Sequence, residues 1–572
     1  MILQALTQYY EDLVRQDKIA RPGWVKQKVS YALCIKENGE LEQVVPLLEE
    51  TEGKKPQPRK MVLPAPVKRS SGIAPNFLWD NSGYLLGIDA KGKPERSIQC
   101  FEACRALHHR LLDGIDSPAA KSLLRFYDQW DPAGGQEHAA LREVCDELMA
   151  GGNLVFRIEG SFAQDDEQIR EAWQRDYDHT EGELRQCLVT GNADVIEAVH
   201  PAIKGVDGAQ SSGAAIVSFN APAFCSYGQE QSYNAPVGRH AAFAYTAALN
   251  HLLADRENVQ KIGDTSVVCW AEGAEPQYQA FTFAALFGKQ EAEMSEDDLR
   301  DALRKLAEGR PVPEQKLDPK RSFYILGLAP NAARLSVRFF YRDTFGNLMK
   351  NVNDHHRRME ITRPVFDRFA VIPLWAMLRE TVNPNSRDKS ASPVLAGAVA
   401  RAIFTGGLYP AALLEQTMLR IRAERNVTRG RAAIIKAYYL RNPNEGCPKE
   451  VLTVALNEAS TNPAYTLGRL FSVYEAVQEE ANPGINTTIK DKYFNSAAST
   501  PATIFPLLGN LCQKHLRKLS TGRRIWYENK IMALVGVLGE EFPARLTLPQ
   551  QGSFDLGYYH QTQKRYEKKE DK

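Results

Sequence analysis

Residues 381–404 read TVNPNSRDKSASPVLAGAVARAIF, and the character of the chain changes across them. Asn383-Pro384-Asn385-Ser386 is a run of turn residues. Beyond it, apolar side chains recur at helical spacing almost without interruption. Helical patterns cover 394–404, 410–423, 429–439, 464–481, 503–519 and 522–538, broken at Gly406-Gly407, Asn442-Pro443-Asn444 and Asn482-Pro483-Gly484. Such short breaks favour antiparallel neighbours, so 386–572 is expected to form an all-α bundle.

On the N-terminal side the pattern is mixed. Residues 1–16 have helical spacing, while 29–35 and 41–48 flank Glu37-Asn38-Gly39-Glu40 as a hairpin. Strands are expected at 84–88, 153–158, 215–220, 266–271, 322–329 and 333–341, and helices at 97–112, 119–130, 169–177, 241–253 and 291–306. A proline-rich basic connection follows the hairpin. No βαβ rhythm repeats. The fold class is therefore α+β: a large mixed α/β N-terminal region over 1–385, then a C-terminal helical bundle over 386–572. A length of 572 residues also exceeds what one core usually serves.

Hydrophobic content of 43% and charged content of 25% describe an ordinary foldable chain. Nine scattered cysteines without paired spacings favour a reducing compartment, and neither a signal peptide nor a long apolar run is visible. A soluble cytoplasmic protein is expected. The net charge of +1 conceals local asymmetry. Residues 401–441 hold eight basic residues against Glu415 and Glu424, and 490–530 hold eight against Asp491 and Glu528. Lys54, Lys55, Arg59, Lys60, Lys68 and Arg69 fall in sixteen residues without an acid. Such patches suit a polyanion, and equally a solvated helix face.

Catalytic patterns are wanting. Cys100-x3-Cys104-x3-His108-His109 shares one helix face, but lacks the second ligand pair a structural zinc needs, and reads as a core helix. His355-His356-Arg357-Arg358 lies in a charged run that suggests an exposed or anion-facing surface. No phosphate loop and no His-Glu-x-x-His occur. Asp165-Asp166 and Asp297-Asp298 lie in polar helices. No catalytic residue, metal or cofactor is expected.

Three polar-aromatic segments remain. In the first, VKRSSGIAPNFLWDN (67–81), Lys68, Arg69, Ser70, Ser71 and Asn76 would face DNA while Phe77, Leu78 and Trp79 bury as an anchor. The second is the turn holding Gln210, Ser211 and Ser212, whose amides could meet phosphates. The third, 224–236, offers Tyr227, Gln231 and Asn234 for stacking or base edges. Each alone also reads as a structural turn. Together with the basic helices they favour nucleic acid, which Arg425, Arg429, Arg431, Lys514, Arg517, Lys518, Arg523 and Arg524 would hold.

MILQAL (1–6), PGW (22–24), PVKRSSGIAPNFLWDN (66–81), AQSSGAAIVSFNAPAFCSYGQEQSYNAP (209–236), AFAYTAALN (242–250) and ANPGINTTIKDKYFNSAASTPATIFP (481–506) resemble one family. It is the large subunit of the type I-C CRISPR surveillance complex, Cascade. The resemblance implies a non-catalytic subunit that recognises the protospacer-adjacent motif in duplex DNA, assists R-loop formation and stabilises the displaced strand. Implied partners are guide RNA with the filament backbone subunits and the 5′-handle-binding subunit, a helical small subunit, and a recruited helicase-nuclease. In this family an internal start can yield the small subunit; here 451–572 would be that piece. The other readings are a nucleic-acid-processing nuclease of a defence system and a scaffold that never touches DNA.

Overall fold

A computed structural model describes every residue except 52–53, 68–71, 89–93, 180–181, 256–258, 289–294, 368, 388, 444–445 and 568–572, and gives the backbone alone at 50–51 and 54–56. The chain divides into two compact units, Met1–Pro201 with Ser218–Ala248, and Ala202–Val217 with Leu249–Lys572.

In the first unit, helix α1 (Ile2–Arg15) buries Leu6, Tyr9, Tyr10 and Leu13, the i, i+3, i+4, i+7 positions of one face. Strands β1 (Trp24–Val29), β2 (Tyr31–Ile35), β3 (Leu41–Pro46), β4 (Leu48–Thr51) and β5 (Lys54–Pro64) follow. The β2–β3 hairpin forms as expected, and its turn needs glycine. Gly39 has φ +89°, and a β-carbon there would lie 2.7 Å from the Arg125 carbonyl carbon.

The proline-rich connection is itself a strand. Its half from Arg59 pairs with β1 and its half up to Pro58 with β4, and the Arg59 amide at the junction donates to the Leu47 carbonyl. Each half has one open side, which accommodates Pro56 and Pro58 without losing a ladder bond on both flanks. Strand β6 (Trp79–Asp80) leads into helix α2 (Ser82–Leu85), where a strand was expected over 84–88. Asn81 caps this helix by accepting from the Gly83 amide, a signal that a short apolar run alone does not carry.

Helices α3 (Pro94–Leu112), α4 (Pro118–Gln129) and α5 (Cys145–Ala150) cross over to β7 (Leu154–Ile158), which pairs in parallel with β2. The sheet order is β3-β2-β7-β6, with β8 (Ser161–Phe162) also on β7. Helix α6 (Glu167–Asp178) and the small β9 (Leu184–Gln186)–β10 (Ala193–Val195) ladder come next, and α7 (Arg239–Ala254) begins in this unit.

The second unit is built on an antiparallel sheet of β11 (Gln260–Ile262), β12 (Thr265–Ala271), β13 (Ser322–Asn331) and β14 (Arg334–Thr344), with α8 (Gln277–Phe287) and α9 (Glu296–Ala307) between β12 and β13. The expected strand over 215–220 pairs only at Ala215, which bridges to Arg334. The chain passes from one unit to the other at Val217–Ser218, so the run leaves the sheet after one residue.

Helices α10 (Phe345–Met359), α11 (Leu374–Arg379), α12 (Pro393–Thr405), α13 (Ala411–Glu424), α14 (Arg429–Arg441), α15 (Pro463–Ala481), α16 (Ile489–Ser499), α17 (Pro501–Leu516), α18 (Thr521–Leu538) and α19 (Leu548–Tyr566) complete it. The helical run is present, but the division expected near 385 falls inside this unit. Phe404 of α12 packs edge-on against Phe339 of β14, ring centroids 5.8 Å apart, and one apolar core runs from Ile262 to Tyr559. The sheet needs α10 and α12 to cover its apolar face, so helices and sheet share one core. Among the described residues no helix is long and apolar enough to cross a membrane.

Candidate nucleic-acid interface

The 67–81 segment is tied down from below. Phe77, Leu78 and Trp79 are buried as expected of an anchor. The Trp79 indole donates to the Pro64 carbonyl at 2.8 Å, and Leu78, held at φ +66°, gives its amide to His108 Nε2 at 3.0 Å. His108 Nδ1 lies 2.7 Å from the Cys104 carbonyl, so Nδ1 carries the proton and Nε2 accepts. Burial pushes the His108 pKa down to about 4, which keeps the ring neutral. Both ring nitrogens thus serve backbone hydrogen bonds within a core helix.

Lys68, Arg69, Ser70 and Ser71 lie outside the described residues. Asn76 corrects the expectation. It is 4% exposed, its side chain accepts from the Val67 amide and its amide donates to Asp80. It closes the base of the loop and presents nothing outward. The reason is cost: a buried amide must spend its hydrogen bonds locally.

The 224–236 segment is organised by one side chain. Asn234 Oδ1 accepts from the Ser226 amide at 2.8 Å, and its Nδ2 donates to the carbonyls of Gln229 and Gln231. This clamp takes Asn234 out of any outward role. It also fixes the tip, where Tyr227 stands at φ +54° and 100% exposure. Gln231, at φ +45°, is exposed beside it. A non-glycine residue in this region costs of order 1 kcal/mol, so the surrounding bonds hold Tyr227 out against its own preference.

In the second unit, the turn carrying Gln210, Ser211 and Ser212 is closed by the Ile203–Ala214 bridge and by the Gly213 amide on the Gln210 carbonyl. All three side chains are exposed.

The helical cations separate into two groups. Arg429 donates to Asp367 and to the Phe369 and Ala370 carbonyls, and Arg431 to Glu424 and the Asn426 carbonyl. Both are buried, as is Lys436, whose ammonium holds the Arg357 and Arg358 carbonyls at the end of α10. These correct the expected strand-binding role of Arg429 and Arg431: each buried guanidinium is held by a carboxylate and main-chain carbonyls of the fold and is not presented outward. Arg425 stays exposed at the C-terminal end of α13. His355, expected at the surface, is buried against the Tyr409 hydroxyl at 2.7 Å.

The second group keeps an outward face. Lys514 and Arg517 are exposed on the end of α17, and Lys518 is exposed while reaching the Asn482 side chain at 2.8 Å. Arg523 donates to Glu480 through Nε and Nη2, which lowers the Glu480 pKa and raises that of Arg523. Arg524 lies 3.8 Å from Glu528.

Trp526 was missed from sequence. It is 47% exposed, with the Arg523 guanidinium 4.8 Å and the Lys530 ammonium 5.0 Å from its rings. The Arg-x-x-Trp-x-x-x-Lys spacing on α18 was the available signal, since i, i+3 and i+4 neighbours share a helix face.

Among the described residues no three His, Cys, Asp or Glu side chains are grouped to hold a metal ion. The molecule is thus an α+β protein of two units whose free cations and aromatics sit on clamped loops and helix faces. The chain belongs to the CRISPR-associated protein (Cas_Csd1) family, whose model matches residues 6–566. A comparison with curated proteins finds no match.

Proposed function

We propose that this chain is the non-catalytic large subunit of a type I-C CRISPR surveillance complex, working in the cytoplasm. It recognises the protospacer-adjacent motif in duplex DNA, helps open the R-loop and holds the displaced strand. Its partners are guide RNA with the filament backbone and 5′-handle-binding subunits, a helical small subunit and a recruited helicase-nuclease. Family membership supports the setting.

The observation that carries the DNA reading is Tyr227, fully exposed on a loop clamped by Asn234. A rigid aromatic presented without ordering cost suits insertion or stacking against a base step. Gln231 beside it has the amide chemistry for a base edge. Lys514, Arg517 and Trp526 suit the displaced single strand, where cations follow phosphates and an aromatic stacks bases.

Tyr227→Ala in the assembled complex tests the reading by gel-shift titration on motif-bearing and motif-less duplexes. The expected result is a loss of discrimination of about five- to 150-fold, from a contact worth about 1–3 kcal/mol. Full discrimination in that variant refutes the assignment of the loop.

A further inference from the structure

The segment that leaves the sheet after Ala215 has an unmade ladder beside it. Ala215 bridges to Arg334 in parallel: its amide donates to the Ala333 carbonyl at 3.1 Å, and its carbonyl accepts from the Leu335 amide at 2.9 Å. The ladder stops there. From Ile216 to Asn220 no amide or carbonyl makes a main-chain hydrogen bond among the described residues, although Ile216, Val217, Ser218 and Phe219 are half-buried. Backbone groups withdrawn from water ordinarily find partners.

Matching groups stand on β14. Opposed residues of an antiparallel pair alternate between exchanging both hydrogen bonds and exchanging none. Because the Leu335 amide points outward to Ala215, the pair Leu335–Pro330 is of the second kind, Ser336–Ala329 of the first, and Val337–Leu328 again of the second. The Leu335 carbonyl and the Val337 amide therefore point out of the edge, and neither has a main-chain partner among the described residues. In the register that Ala215 begins, Val217 falls opposite Ser336 and Ile216 opposite Leu335. The Val217 amide would meet the Leu335 carbonyl, and its carbonyl the Val337 amide. Ile216 would cover Val337, which is 39% exposed. One step is all the edge allows. A bulge interrupts β14 beyond Val337, and the Arg338 carbonyl already accepts from the Arg401 guanidinium at 3.5 Å. Water serves open edges in many proteins, but here strand-forming residues lie in continuation of a bridge already made.

We propose that Ile216 and Val217 form a strap that closes onto β14, one step beyond the Ala215 bridge, and that its closure steadies the loop presenting Tyr227. The loop over 224–236 begins seven residues after Val217. Asn234 clamps the loop within itself, but the lead into it carries no ladder while the strap is open. Closing the strap fixes the start of that lead, which removes part of the ordering that binding otherwise imposes. DNA bound at the loop must then favour closure by the same factor by which closure favours DNA. This coupling rests on the reading of the Tyr227 loop as a DNA contact; the strap itself does not.

Val217→Cys/Ser336→Cys in the full chain tests the register, since opposed residues of a closed ladder lie within disulfide reach. Mild oxidation should join the two positions, as identified by peptide mass. Ile216→Cys/Ser336→Cys should stay reduced, because its two side chains point to opposite faces. In the assembled complex, the oxidised in-register form should bind a motif-bearing duplex about three- to tenfold more tightly than the same protein reduced, the scale of one or two net hydrogen bonds. In a glutathione buffer, saturating duplex should raise the ratio of cross-linked to open chains by a similar factor. Failure of the in-register pair to cross-link, or equal cross-linking of both pairs, would overturn the strap. Equal affinities of the oxidised and reduced forms would overturn its coupling to the loop. Tyr227→Ala in the in-register background should abolish the effect of duplex on the cross-link and leave the cross-link itself intact, so failure of the loop assignment and failure of the strap are read apart.

Discussion

Gly468 of α15 and Phe554 of α19 meet backbone to backbone: a β-carbon on Gly468 would overlap the Phe554 carbonyl oxygen and come within 2.8 Å of the Tyr558 amide nitrogen. Gly557 makes the reciprocal approach to the Tyr465 carbonyl. The two helices cross at a distance that only hydrogen permits.

Gly468→Ala should therefore destabilise the second unit by at least about 1–3 kcal/mol, the usual cost of overpacking. Gly522→Ala in α18, where nothing lies within 4 Å, should instead stabilise by about 0.4–1 kcal/mol. Urea unfolding of both variants checks the opposite signs.

Burial lowers the Lys436 pKa to about 8. The folded chain thus binds this proton less readily than the unfolded one, and the Lys436 contribution to stability rises with pH between about 8 and 10.5. In Lys436→Met that rise, roughly 3 kcal/mol at most, should vanish. Parallel stability–pH curves for the two proteins would refute it.

Asp555 on α19 is buried with neither carboxyl oxygen hydrogen-bonded, and burial raises its pKa well above the usual carboxylate range. The folded state holds this proton more tightly, so stability should fall as pH rises through and above the unfolded value near 4. Asp555→Asn keeps the shape and removes the titration. It should be the more stable protein at pH 8 by about 1–3 kcal/mol, with the advantage gone near pH 4. Thermal melts at both pH values decide it.

Lys514→Gln/Arg517→Gln should flatten the salt dependence of single-stranded DNA binding by about 1.4, since each lost phosphate contact lowers the slope by about 0.7. Arg523→Gln should flatten it less, because Glu480 already takes much of that charge. Trp526→Ala should cost about 1–3 kcal/mol of affinity without altering the slope. Equal slopes in all these variants would remove the helices from the interface.

Complexes expressed from the natural gene should contain a second, short C-terminal product near 451–572, visible by intact mass. On its own this piece should bind hydrophobic dyes. Its helix α19 packs Gly552 against Ile435 and Tyr439, and donates from the Tyr559 hydroxyl to the Thr362 carbonyl, partners that precede residue 451. A partner must cover that face.

The helices beyond 386 and the hairpin around Gly39 were legible because periodicity and turn chemistry are local signals. Function at single residues was less so. Arg429 and Lys514 look alike in sequence, and only the packing of α14 shows that the first is spent on Asp367 and main-chain carbonyls. Asn234 and Asn76 carry amides with the chemistry to read bases, yet both amides hold their own loops. The sequence pattern located the loops; it could not tell the side chain that builds a loop from the one the loop presents. The boundary near 385 misled for a related reason. Composition changes there, but the sheet before it has an apolar face that only later helices cover.

The α15–α19 crossing also fixes an order of events during synthesis. Helix α15 leaves the ribosome while α16, α17, α18 and α19 are still unmade. Its groove at Gly468, cut for one backbone, must wait for α19. Until then the buried Glu475, whose carboxylate receives the Tyr558 hydroxyl at 2.6 Å, has no such donor. Because long-range contacts of this kind form late, the second unit can close only as its final helix emerges. A nascent chain halted before residue 548 is thus a client for chaperones, even though most of its helices are already formed.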